Sequence, residues 1–315
     1  MTFSADCLLP PLAAIAAVGL DRLLGELRRW HPLVGFGWLA QRTERALRPR
    51  AEKDSATLRL RGLLAWLLAV LPWTGLALWL CSLPVWGFLA NVVLLYFALG
   101  ARSLAEHAAA VEQPLAAGDL AAAREQVGRI VSRDTAALDA EGVARAGVES
   151  VLENGNDAVF GALFWFMLAG GAGAVLFRLA NTLDAMWGYR TPRYLHFGWA
   201  AARLDDLLNF ILSRLTAAGY ALLGRTRDAL ACWRTQAKEW ESPNAGPVMA
   251  AGAGALGVRL GGSAVYHGSE ERRPALGCGA APTAADIGRA VSLVYRTLWL
   301  WLGLWIAGAA LWSLA

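Results

Sequence analysis

Arg145, Glu149, Glu153 and Asp157 follow one another at intervals of four, so on a helix they form a slowly drifting stripe. A generic helix would use such a stripe as a solvated face with i,i+4 pairs. Here it runs into the apolar stretch Ala158 to Leu176, and Asn154 and Asn156 add further oxygen donors. Ionised groups beside that much hydrocarbon must share a metal, a phosphate or each other. Hard oxygen ligands suit magnesium, with phosphate completing the shell. A second polar block follows the apolar stretch. Asn181 and Asp184 are i,i+3 neighbours, Asp206 and Asn209 repeat the interval, Asp205 stands four before Asn209, and Arg203 and Arg214 flank the group. Helix caps and a structural ion pair are one reading. The chemical reading is a clamp, in which carboxylates hold a cation and arginines take phosphoryl oxygens in bidentate fashion.

The elements that must position these blocks lie in a membrane. The 315 residues are 57% hydrophobic and only 17% charged, with a mean hydropathy of +0.40, against roughly 25% charged in soluble domains. The net charge of +4 reads as a topology signal, since the basic residues sit in loops beside apolar runs and no nucleic-acid motif accompanies them. Cys7, Cys81, Cys232 and Cys278 show no C-x-x-C spacing, so neither a disulfide nor a structural zinc is expected. Gly252-Ala253-Gly254-Ala255-Leu256-Gly257 matches G-x-G-x-x-G without a preceding strand. It reads as close helix packing through Gly257 and Gly261. No Walker A sequence occurs.

Spans are expected near residues 8–20, 62–83, 85–100 and 298–314. The basic stretch Asp21 to Arg61 is a cytoplasmic loop by the positive-inside rule. Residues 101–155 read as amphipathic helices, either lying on the bilayer or packing against membrane helices. The run Ala158 to Leu176 is broken by Gly170-Gly171-Ala172-Gly173. As a single crossing it would leave Arg178, Arg190, Arg193 and Arg203 outside, against the rule that orients the rest. A re-entrant hairpin over 158–176 keeps both polar blocks on the cytoplasmic side and is the favoured expectation, with 204–223 spanning or interfacial. The fold class is therefore all-α: a polytopic integral membrane helical protein of one domain, 1–315, with a re-entrant hairpin and amphipathic cytoplasmic-side helices.

In this order the chain carries Asp21 through Gly25 with His31-Pro32, Val131-Ser132-Arg133-Asp134-Thr135, Val148-Glu149-Ser150, Glu153-Asn154, and Asn181-Thr182-Leu183-Asp184. Ala202-Arg203-Leu204-Asp205-Asp206, Asn209, Arg214-Leu215-Thr216, Ser242-Pro243-Asn244-Ala245-Gly246 and Val258-Arg259-Leu260-Gly261-Gly262 follow. Over nearly its whole length this text resembles the adenosylcobinamide-phosphate synthases of cobalamin biosynthesis, the CobD/CbiB family. Gly25-Glu26-Leu27 and Gly155-Asn156 depart from the family's commoner residues.

The resemblance implies a multi-pass inner-membrane ligase with its active site on the cytoplasmic side. It would join adenosylcobyric acid to aminopropanol phosphate, or a related amino-alcohol phosphate, through an amide, with ATP and Mg2+ activating the carboxylate. For that chemistry the two polar blocks are expected to supply catalytic roles for Glu149, Glu153, Asp184 and Asp206, and magnesium ligation by Glu149, Glu153, Asp157, Asp184 and Asp205. Arg133, Asn154, Asn181, Arg203, Asn209, Arg214 and Asn244 would bind substrate amides and phosphates. Beyond the bilayer and the corrinoid, a homo-oligomer or a complex with other cobalamin-pathway proteins stays open, and no nucleic acid is expected. Two other classes compete. An AmpE-like membrane sensor would keep the helices without needing the acids. A prenyl- or phosphatidyltransferase would use aspartate-bound magnesium diphosphate.

Overall fold

The computed structural model describes residues 7–26, 31–48, 54–266 and 269–314. Leu27, Arg28, Arg29, Arg50 and Lys53 of the basic stretch lie outside the described residues. The chain divides into two compact units. Unit one comprises Met1–Gly100, Gly161–Asn209 and Leu302–Ala315; unit two comprises Ala101–Phe160 and Phe210–Trp301.

Unit one begins with α1 (Leu9–Leu24), α2 (Pro32–Leu47), α3 (Ser55–Cys81) and α4 (Gly87–Ala98). The basic stretch expected as a loop contains α2. His31 caps it, its Nδ1 accepting from the Leu33 amide at 3.2 Å, and Pro32 occupies a first-turn position where its missing N–H costs nothing. Phe36 and Ala40, on one face, join the core formed by Trp66 and Val70 of α3 with Leu179, Leu183 and Trp187. Burial of that face outweighs the local excess of charge, which collects at the helix end.

The apolar run that follows decides the path of the chain. Helix α8 (Gly161–Trp187) loses helical geometry at Ala169 and Gly170, the latter at φ +60°. A Cβ on Gly161 would run into the ring of Phe177, and one on Gly173 into the Trp165 carbonyl. In a straight helix Gly161 and Phe177 would stand about 24 Å apart. The arms 161–168 and 171–187 therefore fold back on each other as the expected helical hairpin. Asn91 of α4 pins the turn: its Oδ1 accepts from the Gly171 amide at 2.7 Å, and its Nδ2 donates to the Gly87 carbonyl at 2.8 Å. Gly161→Val is expected to lower the melting temperature by overpacking this contact, at a cost of about 1–3 kcal/mol. Adding Phe177→Ala should restore part of the loss in a double-mutant cycle read by thermal unfolding.

Unit two holds α5 (Ala101–Ala116), α6 (Leu120–Gly128), α7 (Ala140–Asn154) and a π-helical turn (Gly155–Phe160). Helix α9 (Trp199–Leu223) begins in unit one and ends here; α10 (Thr226–Gln236) and α11 (Ala245–Leu256) follow. Every residue of α11 is buried. Its small residues permit this: Gly252 meets Leu152 and Gly254 meets Ala229. Close packing thus runs through Gly252 and Gly254, not through Gly257 and Gly261 as the sequence suggested. Gly257 is the left-handed C-cap of α11, and Gly261 lies in a strand. That strand, β1 (Arg259–Tyr266), pairs antiparallel with β2 (Ser269–Gly277), an element the sequence reading did not contain. The final helix, α12 (Ala284–Leu314), has residues in both units.

Among the described residues four helical stretches are long and apolar enough to cross a membrane: Ser55–Cys81, Gly87–Ala116, Ala140–Trp187 and Ala284–Leu314. Three contain or overlap the expected spans at 62–83, 85–100 and 298–314. The third in order includes the fold-back and is not one straight rod. At 16 residues, α1 is shorter than the roughly 20 a perpendicular crossing needs. The fold is a helical polytopic membrane protein with one small β-hairpin.

Candidate functional site

Glu149 is a heavily engaged carboxylate of unit two. It projects from α7 with its side chain only 5% exposed and forms an ion pair with Arg133. Arg273 of β2 approaches the same carboxylate, Nη1 donating to Oε2 at 3.2 Å and Nη2 to Oε1 at 3.4 Å. The Gly261 amide donates to Oε1 at 2.8 Å. Within this triad two guanidinium groups face one carboxylate, a local excess of donors that suits an anion, while Glu153, Glu239, Glu241 and Glu271 place acids on the same cavity.

Local structure sets each of these donors. Arg133 lies in the α6–α7 loop, tied down where Arg124 Nε donates to the Leu138 carbonyl at 2.6 Å and Thr135 Oγ1 to the Arg124 carbonyl at 3.1 Å. Asp139 then caps α7, accepting from the Gly142 amide at 2.7 Å. The β-hairpin is aimed by a bulge at Gly261 and Gly262, where φ is +76° and +79°, a region other residues enter at a cost. Its base is clamped by Gln236, whose side-chain amide exchanges two hydrogen bonds with Gly277, at 2.7 and 3.1 Å. Arg273 is steadied from the side by Trp240, its guanidinium lying 5.4 Å from the ring centroid. Near that base, burial and the neighbouring Cys278 thiol push the Cys232 thiol up to about 12, so it is a poor nucleophile.

These residues wall a cavity of about 640 Å3, within the size range of small-molecule sites. Arg133, Glu149, Glu153 and Asn154, all anticipated from sequence, line it. So do Trp240, Glu271, Arg272 and Arg273, which were not. Glu153 stands one helical turn beyond Glu149 and is exposed; among the described residues it makes no hydrogen bond or ion pair. Asp157 sits in the π-helical turn, where it accepts from Asn156 Nδ2 at 2.9 Å.

Arg214 and Asn244 come together in unit two but not among the residues lining this cavity. Arg214 Nη1 donates to Asn244 Oδ1 at 2.8 Å and Nη2 to the Pro243 carbonyl at 3.0 Å, with the guanidinium over the Phe210 ring. The remaining anticipated residues, Asn181, Asp184, Arg203, Asp205, Asp206 and Asn209, belong to unit one. Asp205 accepts from Asn209 Nδ2 at 3.0 Å and from Asn181 Nδ2 at 3.4 Å, while Arg203 pairs with Asp206 at 3.3 Å. Asp184 closes the end of α8, its carbonyl accepting from the Gly188 amide at 2.6 Å. The connection from α8 to α9 is fastened to α2: buried Glu44 accepts from Arg193 at 2.7 and 2.9 Å and from the Tyr194 hydroxyl at 3.2 Å. Burial and the Glu44 charge hold that hydroxyl above the usual tyrosine range. Among the described residues no three Asp, Glu, His or Cys side chains gather closely enough to cage a metal by themselves.

Asn209→Asp tests the unit-one block. Asn209 is 2% exposed, and the substitution turns a donor to Asp205 into a second carboxylate. Stability should fall by about 1–3 kcal/mol at neutral pH. It should partly return as the pH is lowered, because a protonated carboxyl donates where the amide did. Thermal unfolding at two pH values reads both effects.

A family profile described as CobD/Cbib protein matches residues 14–294. "Cobalamin biosynthesis protein CobD" of Chromobacterium violaceum is 62% identical over 297 residues, covering 94% of this chain and 95% of that protein. The protein of the same name from Stutzerimonas stutzeri is 60% identical over 302 residues, covering 96% and 99%. That of Rhodobacter capsulatus is 41% identical over 295 residues, covering 90% and 92%. No solved structure matches. With the profile spanning most of its length and relatives aligned nearly end to end, this chain belongs to the CobD/CbiB family of cobalamin biosynthesis proteins.

Proposed function

We propose that the protein forms the amide between adenosylcobyric acid and an amino-alcohol phosphate, and that the cavity of unit two is where the amine component binds. One observation carries the assignment: a guanidinium pair, fixed on buried Glu149, shares a cavity wall with the exposed carboxylate of Glu153. An amino-alcohol phosphate carries a phosphate at one end and an ammonium at the other, so a wall bearing both signs of charge matches it.

In this reading Arg133 and Arg273 bind the phosphate, and Glu149 is the anchor that orients them rather than a base or a metal ligand. Its oxygens already accept from two arginines and a backbone amide. Glu153 receives the ammonium and takes one of its protons, freeing the nitrogen lone pair. A carboxylate and an amine do not condense usefully in water, so the corrinoid carboxylate must first be activated. Transfer of the ATP γ-phosphoryl group would give an acyl phosphate and ADP. The amine nitrogen then bonds to the acyl carbon as the carbon–oxygen bond to phosphate breaks.

Magnesium takes most of its ligands from phosphate and water and needs only one or two carboxylates. Glu239, Glu241 and Glu271 on the cavity wall offer that donor set, and the ion would offset phosphate charge there. We place the reaction on the cytoplasmic side of the inner membrane. The test is to incubate purified membranes with adenosylcobyric acid, aminopropanol phosphate and Mg-ATP and to follow product by mass. Product only with ATP supports the reading; no product with all components, or equal product without ATP, overturns it.

A further inference from the structure

The four cysteines are free thiols, and two of them, Cys232 and Cys278, belong to unit two. They are far apart in sequence, yet their side chains hydrogen-bond to each other. Two fastenings bring them together. Cys232 lies on α10 one helical turn before Gln236, on the same face, and Gln236 holds both main-chain groups of Gly277, the residue before Cys278, at 2.7 and 3.1 Å. On the other side of Cys278, the Arg259 amide donates to the Ala280 carbonyl at 2.9 Å. Gly277 and Gly279 flank the cysteine at φ +80° and +98°. A Cβ on either would strike the carbonyl of Val258 or of Gly257, so only glycines let the chain around Cys278 lie this close to those residues. The Cys278 thiol is thus held beside that of Cys232 by backbone pinned on both sides.

Buried cysteines often serve only as small apolar residues. Access sets this pair apart: Cys232 is 4% exposed, whereas Cys278 is half-buried. One thiol can meet a dissolved oxidant while the second waits beside it, which is the arrangement of a redox-responsive dithiol. We propose that Cys232 and Cys278 form a reversible oxidation site, which hydrogen peroxide closes to an intramolecular disulfide that ties α10 to the base of the β-hairpin. The Cys278 sulfur, as thiolate, attacks one peroxide oxygen; the O–O bond breaks, leaving the Cys278 sulfenic acid and, after protonation, water. The Cys232 sulfur then attacks the sulfenic sulfur. The S–O bond breaks, and the hydroxyl departs as a second water with the Cys232 thiol proton. Two thiols are oxidised and one peroxide is reduced. Under reducing conditions the pair rests as two thiols. The hairpin also carries the Gly261 amide and Arg273, both bound to Glu149, so a cross-link at its base acts on the wall of the cavity.

The full-length protein in neutral detergent is reduced, freed of reductant and treated with hydrogen peroxide. Remaining thiols are alkylated, and a digest made without reduction is mapped by mass spectrometry. A peptide carrying Cys232 linked to one carrying Cys278 is expected, lost after dithiothreitol, with Cys7 and Cys81 in no link. In the oxidised protein, hydrogen exchange of the β1 amides should slow by about tenfold or more and recover on reduction. Cys278→Ser should give neither the link nor the slowing. Cys278 carried on to sulfinic acid while Cys232 stays open to alkylation, a link between two chains or to Cys7 or Cys81, or slowing that persists in Cys278→Ser overturns the proposal. So does a Cys232–Cys278 link that leaves β1 exchange unchanged, since the bond would then not tie down the hairpin. If Cys278→Ser does not fold, the peptide map and exchange of the parent protein decide alone.

Discussion

Glu149→Ala is expected to destabilise the protein by about 3–5 kcal/mol, the range for removing one partner of a buried ion pair. Native proteins hold only about 5–15 kcal/mol in total, so the variant should melt far below the parent and accumulate poorly. The magnitude follows from what stays behind. Arg133 and Arg273, with side chains 6% and 14% exposed, would face each other without the carboxylate between them, and the Gly261 amide would lose its acceptor. Glu149→Gln keeps the shape and an acceptor oxygen and should cost less. Combining Glu149→Gln with Arg273→Gln removes one unbalanced charge and should recover stability while activity stays lost. That separation identifies the arginines as the phosphate site and Glu149 as their support. A Glu149→Ala protein that melts with the parent would show that the triad does not hold this wall together.

Glu153→Gln should do the reverse. The side chain is exposed to the cavity and unpaired among the described residues, so the melting temperature should not change. Loss of a positioned proton acceptor lowers turnover by about 10²–10⁴-fold. ATP-dependent amide formation is expected to fall by that factor with the amino-alcohol phosphate KM little altered, since the arginines remain. Glu153→Asp should retain part of the rate. Undiminished turnover in Glu153→Gln would take Glu153 out of the proton transfer.

Reading from residues to structure succeeded where the pattern was local. The four-residue interval of Glu149 and Glu153 placed them on one helix, and both line one cavity. Four glycine-rich positions beside an arginine-rich follow-on were enough to argue that α8 doubles back. Distance along the chain defeated the rest. Arg273 is 124 residues from Glu149, and nothing in i,i+4 spacing refers to a partner so remote. The β-hairpin that brings it there left a weak trace, a short segment after Gly257 in which Gly261 was paired with Gly257 as a helix-packing residue. Helix α2 was hidden for another reason: its arginines dominate the local composition, while the apolar face of Phe36 and Ala40 matters only once α3 and α8 are there to receive it.

The doubled-back helix has a consequence for how such chains are assigned to compartments. Every true crossing exchanges the side on which all later residues lie, so orientation is a question of odd or even. A segment that enters and leaves by the same face adds nothing to that parity, however greasy it is. If Ala140–Trp187 enters and leaves by one face, counting it as a traverse would invert the inferred address of everything after Trp187, including the β2 strand that delivers Arg273.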